Sequence, residues 1–228
     1  MKISVFVLLA AFMLTGMAPL QAQEGVSIGA SIGFYRASLD KIDADFEGAR
    51  ANGAKVENTD GGILAGGYLA YRVSPNFYWR VSLAFWHDQA RGTATDLGGE
   101  IQITNQVRLL PILLGAQYFL LPERSLIRPY IGGAAGMVLV RNVVSVLLSI
   151  TDEPPNLSSS AATGSDFMTF PFVGLQFRTS KTLAIFLEAG YKFSNYAIIS
   201  TDTITGETER GQVSLNGLVV SLGTQVSL

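Results

Sequence analysis

His87 and Asp88 are the one place in this chain where an imidazole and a carboxylate adjoin, because the sequence holds a single histidine. A histidine beside a carboxylate invites a general-base reading. A second candidate is Asp43-Ala44-Asp45-Phe46-Glu47-Gly48, which begins like a calcium loop. That pattern asks for Asp or Asn at its fifth position and a bidentate Glu at its twelfth. Here those positions hold Glu47 and Ala54, so the segment reads as a solvated acidic loop. The third candidate is a dispersed set of charged and amide side chains: Arg72, Arg80, Gln106, Arg108, Gln176, Arg178, Glu188 and Lys192. Five of these eight are cationic and one is anionic. Their chemistry depends on what surrounds them, and that depends on the elements that carry them.

Those elements are strands. From Leu218 the sequence alternates Leu218, Val220, Leu222, Thr224, Val226 and Leu228 with Ser221, Gly223, Gln225 and Ser227. A period of two describes a strand whose faces meet different surroundings. The same pattern predicts strands over about 26–36, 62–73 and 167–179. It is clearest after Leu183, where Leu183, Ile185, Leu187, Ala189, Tyr191 and Phe193 oppose Phe186, Glu188, Gly190, Lys192 and Ser194. Ser74-Pro75-Asn76, Pro122-Glu123-Arg124-Ser125 and Ser180-Lys181-Thr182 carry turn chemistry. A three-residue loop at the first would join Val73 to Phe77, and at the last Thr179 to Leu183, with faces matching.

Polar connections are expected over 38–60, 90–99, 142–166 and 198–211. The third opens with the apolar Val143, Val144, Val146, Leu147, Leu148 and Ile150, which reads as a strand extended beyond its sheet. Between Glu100 and Tyr118 the apolar phase changes sides near Leu109 to Pro111, and a β-bulge is the expected cause. The count is eight strands, with three short turns alternating with four long loops.

The start is different. Met1-Lys2, an apolar run from Val5 to Leu14, and a break at Gly16 and Pro19 before Ala22 describe a secretory signal peptide over 1–22, leaving one mature domain over 23–228. The chain has no cysteine, which excludes disulfides, zinc-thiolate sites and a lipidated N-terminal cysteine. Without Lys2 there are 15 basic and 18 acidic residues, a balance that argues against nucleic acid as a partner.

Hydrophobic residues make up 48% of the chain, yet no clean apolar run is long enough for a membrane helix. The nearest, 131–150, carries Arg141, which would cost roughly 2.5–3.5 kcal/mol near mid-bilayer. Strands of about 9–11 residues cross a bilayer without such a run. In a water-soluble barrel the charged set would be buried and would need nearly complete pairing; in a membrane barrel it lines the lumen. The expected fold is therefore all-β, an eight-stranded antiparallel transmembrane β-barrel of the outer-membrane type. Arg72, Arg80, Arg108, Arg178, Glu188 and Lys192 form its charged lumen lining. Glu188 and Lys192 lie about 13 Å apart along one strand, so each is expected to find its partner on a neighbouring strand. Tyr71, Phe77, Trp79, Tyr191 and Phe193 are expected as an aromatic girdle near the short turns.

Leu110-Pro111-Ile112-Leu113-Leu114, followed by Arg128-Pro129-Tyr130-Ile131-Gly132 and an alternating C-terminal strand, resembles the small eight-stranded outer-membrane barrels of the OmpA-like, OmpW-like and PorT-like group. The resemblance implies residence in the outer membrane of a Gram-negative-type envelope. It also implies outer-membrane lipids, lipopolysaccharide and the barrel assembly machinery as partners, with Leu222, Val226 and Leu228 as the C-terminal assembly signal. That signal usually ends in an aromatic residue and here ends in Leu228. Divalent ions bridging the acidic 43–48 segment to lipopolysaccharide are compatible with it.

Some barrels of this size are lipid A deacylases with a serine two residues after the histidine; here that position is Gln89, so His87 reads as a rim residue. No catalytic, cofactor or metal site is expected. The expected function is non-enzymatic, structural or surface-interacting. A narrow channel for small or hydrophobic solutes, as OmpW-like resemblance implies, and a secretion accessory, as PorT-like resemblance implies, are the alternatives.

Overall fold

A computed structural model describes residues 25–51, 53–57, 61–96, 99–150, 154–201 and 208–228. The expected signal peptide over 1–22 lies outside the described residues. In chain order the elements are β1 (Val26–Ala37), α1 (Asp40–Ala51), β2 (Lys55–Glu57), β3 (Gly62–Arg72), β4 (Phe77–Asp96), β5 (Gly99–Phe119), β6 (Ile127–Ile150), β7 (Asn156–Arg178), β8 (Leu183–Lys192), β9 (Asn195–Thr201), β10 (Thr208–Ser214) and β11 (Gly217–Ser227). Eight of the strands close a ring in the order β1-β3-β4-β5-β6-β7-β8-β11 and back to β1, every pairing antiparallel. The three short turns fall where the sequence places them: Val73 N–H donates to Phe77 O at 2.9 Å, and Thr179 N–H to Leu183 O at 3.0 Å.

The outer surface of the ring is apolar. Ile32, Leu69, Trp79, Val81, Leu114, Ile131, Val173, Leu187 and Leu222 all stand exposed, while Gly33, Ala70, Arg80, Gly115, Gly132, Phe172, Glu188 and Ser221 beside them point inward. An apolar surface running around a whole ring is not tolerated in water; the chain is a membrane-spanning barrel of the outer-membrane type. No helix of the described residues is long and apolar enough to cross a membrane.

Strand length divides the ring in two. β1, β3, β8 and β11 have 10 to 12 residues, enough to cross a bilayer. β4 to β7 have 20 to 24 and continue as a four-stranded wall beyond it, on the side opposite the short turns. The expected loops over 90–99 and 142–166 are therefore mostly strand, and the apolar start of the second is strand extension, as read. The 198–211 connection holds most of β9 and β10, a hairpin paired only to itself.

The 38–60 connection, expected as a solvated loop, contains α1. Ala44, Ala49, Ala51 and Glu47 are good helix formers, Arg50 suits its last turn, and Gly53 follows at a φ of +89°. Ile42 and Phe46, one turn apart, are its buried face. Because Asp43 to Gly48 is helical, the segment does not form the loop that a calcium site of that pattern needs.

The expected β-bulge is absent. β5 keeps one register with β4 and with β6 from Gly99 to Phe119. The apolar phase changes because the surroundings change. Within the bilayer the outward residues Ile112 and Leu114 are apolar. Above it the outward residues Arg108 and Gln106 meet water and headgroups, while the inward Val107 and Leu109 pack under α1 and the hairpin.

The aromatic girdle is likewise split. Tyr71, Phe77 and Trp79 lie near the short turns, whereas Tyr191 and Phe193, 4.7 Å apart, lie at the other rim.

Candidate functional site: the barrel lumen

The lumen is filled in layers. At the short-turn end, Glu123 accepts from Arg72 at 3.1 Å and from Arg178 at 3.3 Å. Arg128 lies over the Phe119 ring at 3.9 Å and donates to Pro75 O at 3.0 Å. The cavity here measures about 30 Å³, room for a water or two.

One layer up, Arg80 of β4 closes both guanidinium arms on Glu188 of β8, at 2.5 and 3.3 Å. These strands stand opposite each other in the ring, so the pair spans the lumen. Both side chains are buried. Tyr130 O–H donates to the same carboxylate at 3.2 Å, and the Arg80 guanidinium stacks 4.1 Å from the Tyr68 ring centre. Tyr68 O–H donates to Gln225 Oε1 at 2.9 Å, which also accepts from Gln176 at 3.0 Å. Two glycines make room for these rings: a Cβ at Gly29 would strike Tyr68, and one at Gly174 would strike Tyr130.

Above this layer Lys192 is buried between the rings of Tyr35 and Phe170, 5.2 and 5.4 Å from their centres. Trp86 Nε1–H donates to Tyr35 O at 2.9 Å, and Tyr35 O–H donates to Leu215 O.

A roof closes the far end. The chain passes from β8 through Ser194 into β9, and from β10 through Asn216 into β11, so the hairpin bends at the ring's edge. Asp166 of β7 holds that bend, accepting from Asn195 N–H at 2.9 Å and Ser194 Oγ at 3.2 Å. Asn216 Oδ1 accepts from Ser194 N–H at 2.9 Å. Tyr196, Val213 and Leu215 then pack with Ile42, Val107 and Val140 around a cavity of about 10 Å³. Burial pushes the Tyr196 hydroxyl pKa up.

Of the expected lumen residues, Arg80, Glu188 and Lys192 are inside, and Arg72 and Arg178 line the short-turn mouth. Arg108 is a correction: it faces outward, because β5 runs without the bulge that would have turned it in. Gln106 shares that face. Glu188 is a second correction, since its partner stands across the lumen and not on a neighbouring strand.

His87 faces outward beside Arg108, its Nδ1 3.3 Å from Val107 O. Asp88 turns the other way and accepts from Gly61 N–H at 3.1 Å. The two therefore form no dyad. The network also contains Tyr68, Tyr130, Gln225 and Asp166. Alternation in the sequence puts Tyr68 and Gln225 on inward faces, whereas the small residues after Tyr130 leave that strand's faces open and Asp166 ends what reads as a polar connection.

No family model matches the sequence, and no curated protein matches it. Among solved structures, the chain is similar to neisserial surface protein A at 13% identity, covering 90% of this chain and 97% of that one with a TM-score of 0.48. It is also similar to OprG from Pseudomonas aeruginosa, at 15% identity over 89% and 95% of the two chains, TM-score 0.44. It is similar as well to outer membrane protein W of E. coli, at 16% identity over 90% and 98% of the two chains, TM-score 0.39.

Proposed function

We propose that this protein is a sealed, non-enzymatic outer-membrane barrel that holds a folded surface structure on the outside of the envelope. The observation that carries this reading is the Arg80–Glu188 pair spanning the lumen at 2.5 Å. A through-path would have to break a buried ion pair, which costs about 3–5 kcal/mol when one partner is removed. The rings of Tyr68, Tyr130 and Phe172 fill the same level, as a ring of eight strands allows. The terminal strand serves insertion: Leu222 and Val226 face lipid, and Leu228 N–H donates to Val26 O at 2.9 Å where the ring closes. Recognition of this strand by the barrel assembly machinery is part of the same proposal.

The test is single-channel recording of the refolded barrel in a planar bilayer, with folding checked by altered gel mobility before boiling. Silence is the expected result. Discrete, reproducible openings abolished by a lumen substitution would replace this reading with the narrow-channel one. Hydrolysis of lipid A lost on His87→Ala would replace it with an enzyme.

A further inference from the structure

Arg108 and Arg141 sit directly opposite each other across the β5–β6 pair. Both face outward, since the residues flanking them, Val107, Leu109 and Val140, are buried on the inner side. Like charges opposed across two strands repel, and neither guanidinium makes an ion pair among the described residues. Arg108 has one anchor, donating to Gln106 Oε1 at 3.3 Å. His87 completes the row on β4, directly beside Arg108.

The depth of this row is informative. Two residues nearer the short turns, the same outward faces carry Phe85, Leu110 and Leu139; two further, Leu83, Ile112 and Met137. The arginines thus cap the apolar belt on the side of the extended wall, at the depth of lipid headgroups.

We infer that Arg108 and Arg141 form a clamp for a phosphate group of an outer-leaflet glycolipid. Two guanidinium forks offer paired N–H donors in the geometry that phosphate oxygens accept. One phosphate between them turns an unfavourable pair into a bridged one. A lipid phosphate is held at this depth by its own acyl chains, which lie against Leu110, Leu139 and Met137, whereas a free phosphate would have no such support.

The full-length barrel in detergent micelles, its fold confirmed by heat-modifiable gel mobility, is titrated with bisphosphorylated lipid A and with dephosphorylated lipid A, and bound lipid is read by native mass spectrometry. Wild type is expected to prefer the phosphorylated form. Arg108→Gln with Arg141→Gln is expected to weaken that binding by roughly tenfold or more, and the Arg108→Lys, Arg141→Lys pair by less. Arg36→Gln, exposed on β1 across the ring, is expected to leave it unchanged. Equal retention by wild type and the double glutamine variant overturns the clamp, as does indifference to dephosphorylation. Displacement of lipid A by millimolar inorganic phosphate overturns the lipid assignment in favour of a free-anion site.

Discussion

Arg80 and Glu188 are joined across the full width of the lumen, from β4 to β8, with the guanidinium fork and carboxylate 2.5 Å apart at their nearest atoms. Such a pair is worth little relative to well-packed apolar residues, but half of it is costly. Arg80→Ala is expected to destabilise the barrel by about 3–5 kcal/mol, and Arg80→Met with Glu188→Leu to recover to within about 2 kcal/mol of wild type. Urea unfolding in lipid vesicles, followed by tryptophan fluorescence, checks this. Additive losses in the double variant would show that the residues act independently.

The seats beneath the lumen rings are equally specific. Gly174→Ala places a methyl into the Tyr130 ring, and overpacking of that kind costs about 1–3 kcal/mol. Tyr130→Leu alone forfeits the hydroxyl's bond to Glu188, and adding Gly174→Ala to it is expected to cost little more in the same assay. A full additional loss would mean that the backbone, and not the ring, meets the methyl.

Asp166 holds the bend that directs the hairpin over the lumen. Asp166→Ala removes the acceptor of the Asn195 amide and the Ser194 hydroxyl and is expected to weaken the roof by about 0.5–1.5 kcal/mol. Amide exchange is expected to quicken across β9 and β10 while the ring strands keep their protection. Unchanged exchange in the hairpin would assign the bend to its apolar packing alone.

Tyr196 supplies a pH dependence. Its folded pKa is raised above the ordinary 10 by burial, so its contribution to roof stability is complete below the unfolded value and is lost as pH rises through the folded one. Hairpin amide exchange relative to the ring, corrected for its intrinsic pH dependence, is expected to rise in that alkaline range, and Tyr196→Phe is expected to flatten the rise. An equal rise in the variant would exclude Tyr196 as its source.

Ring closure, turn registers and the faces of β1, β3, β8 and β11 were legible because each of those strands is little longer than the bilayer is thick. One alternation then describes it from end to end. β5 was misread for the complementary reason. It crosses from lipid into water at about Leu109, and the side that is apolar exchanges there without any change in the backbone. A bulge would turn Arg108 into the lumen, and the strand runs without one. α1 was hidden because, among its described side chains, only Ile42 and Phe46 are buried, too few to stand out in a segment rich in acids. The Arg80–Glu188 pair was half legible: parity puts each side chain inside and an eight-stranded meander sets the third strand opposite the seventh, but the strand stagger that brings the two side chains to one height is not written in the sequence.

The unequal walls give the molecule a front and a back. β4 to β7 outreach the remaining ring strands by roughly ten residues, on the order of 30 Å along the strand. The far rim formed by the ring strands is therefore tall on one flank and low on the other. Rotation of the barrel about its axis decides which direction the tall flank faces, and any neighbour gripping the low side would in effect aim it.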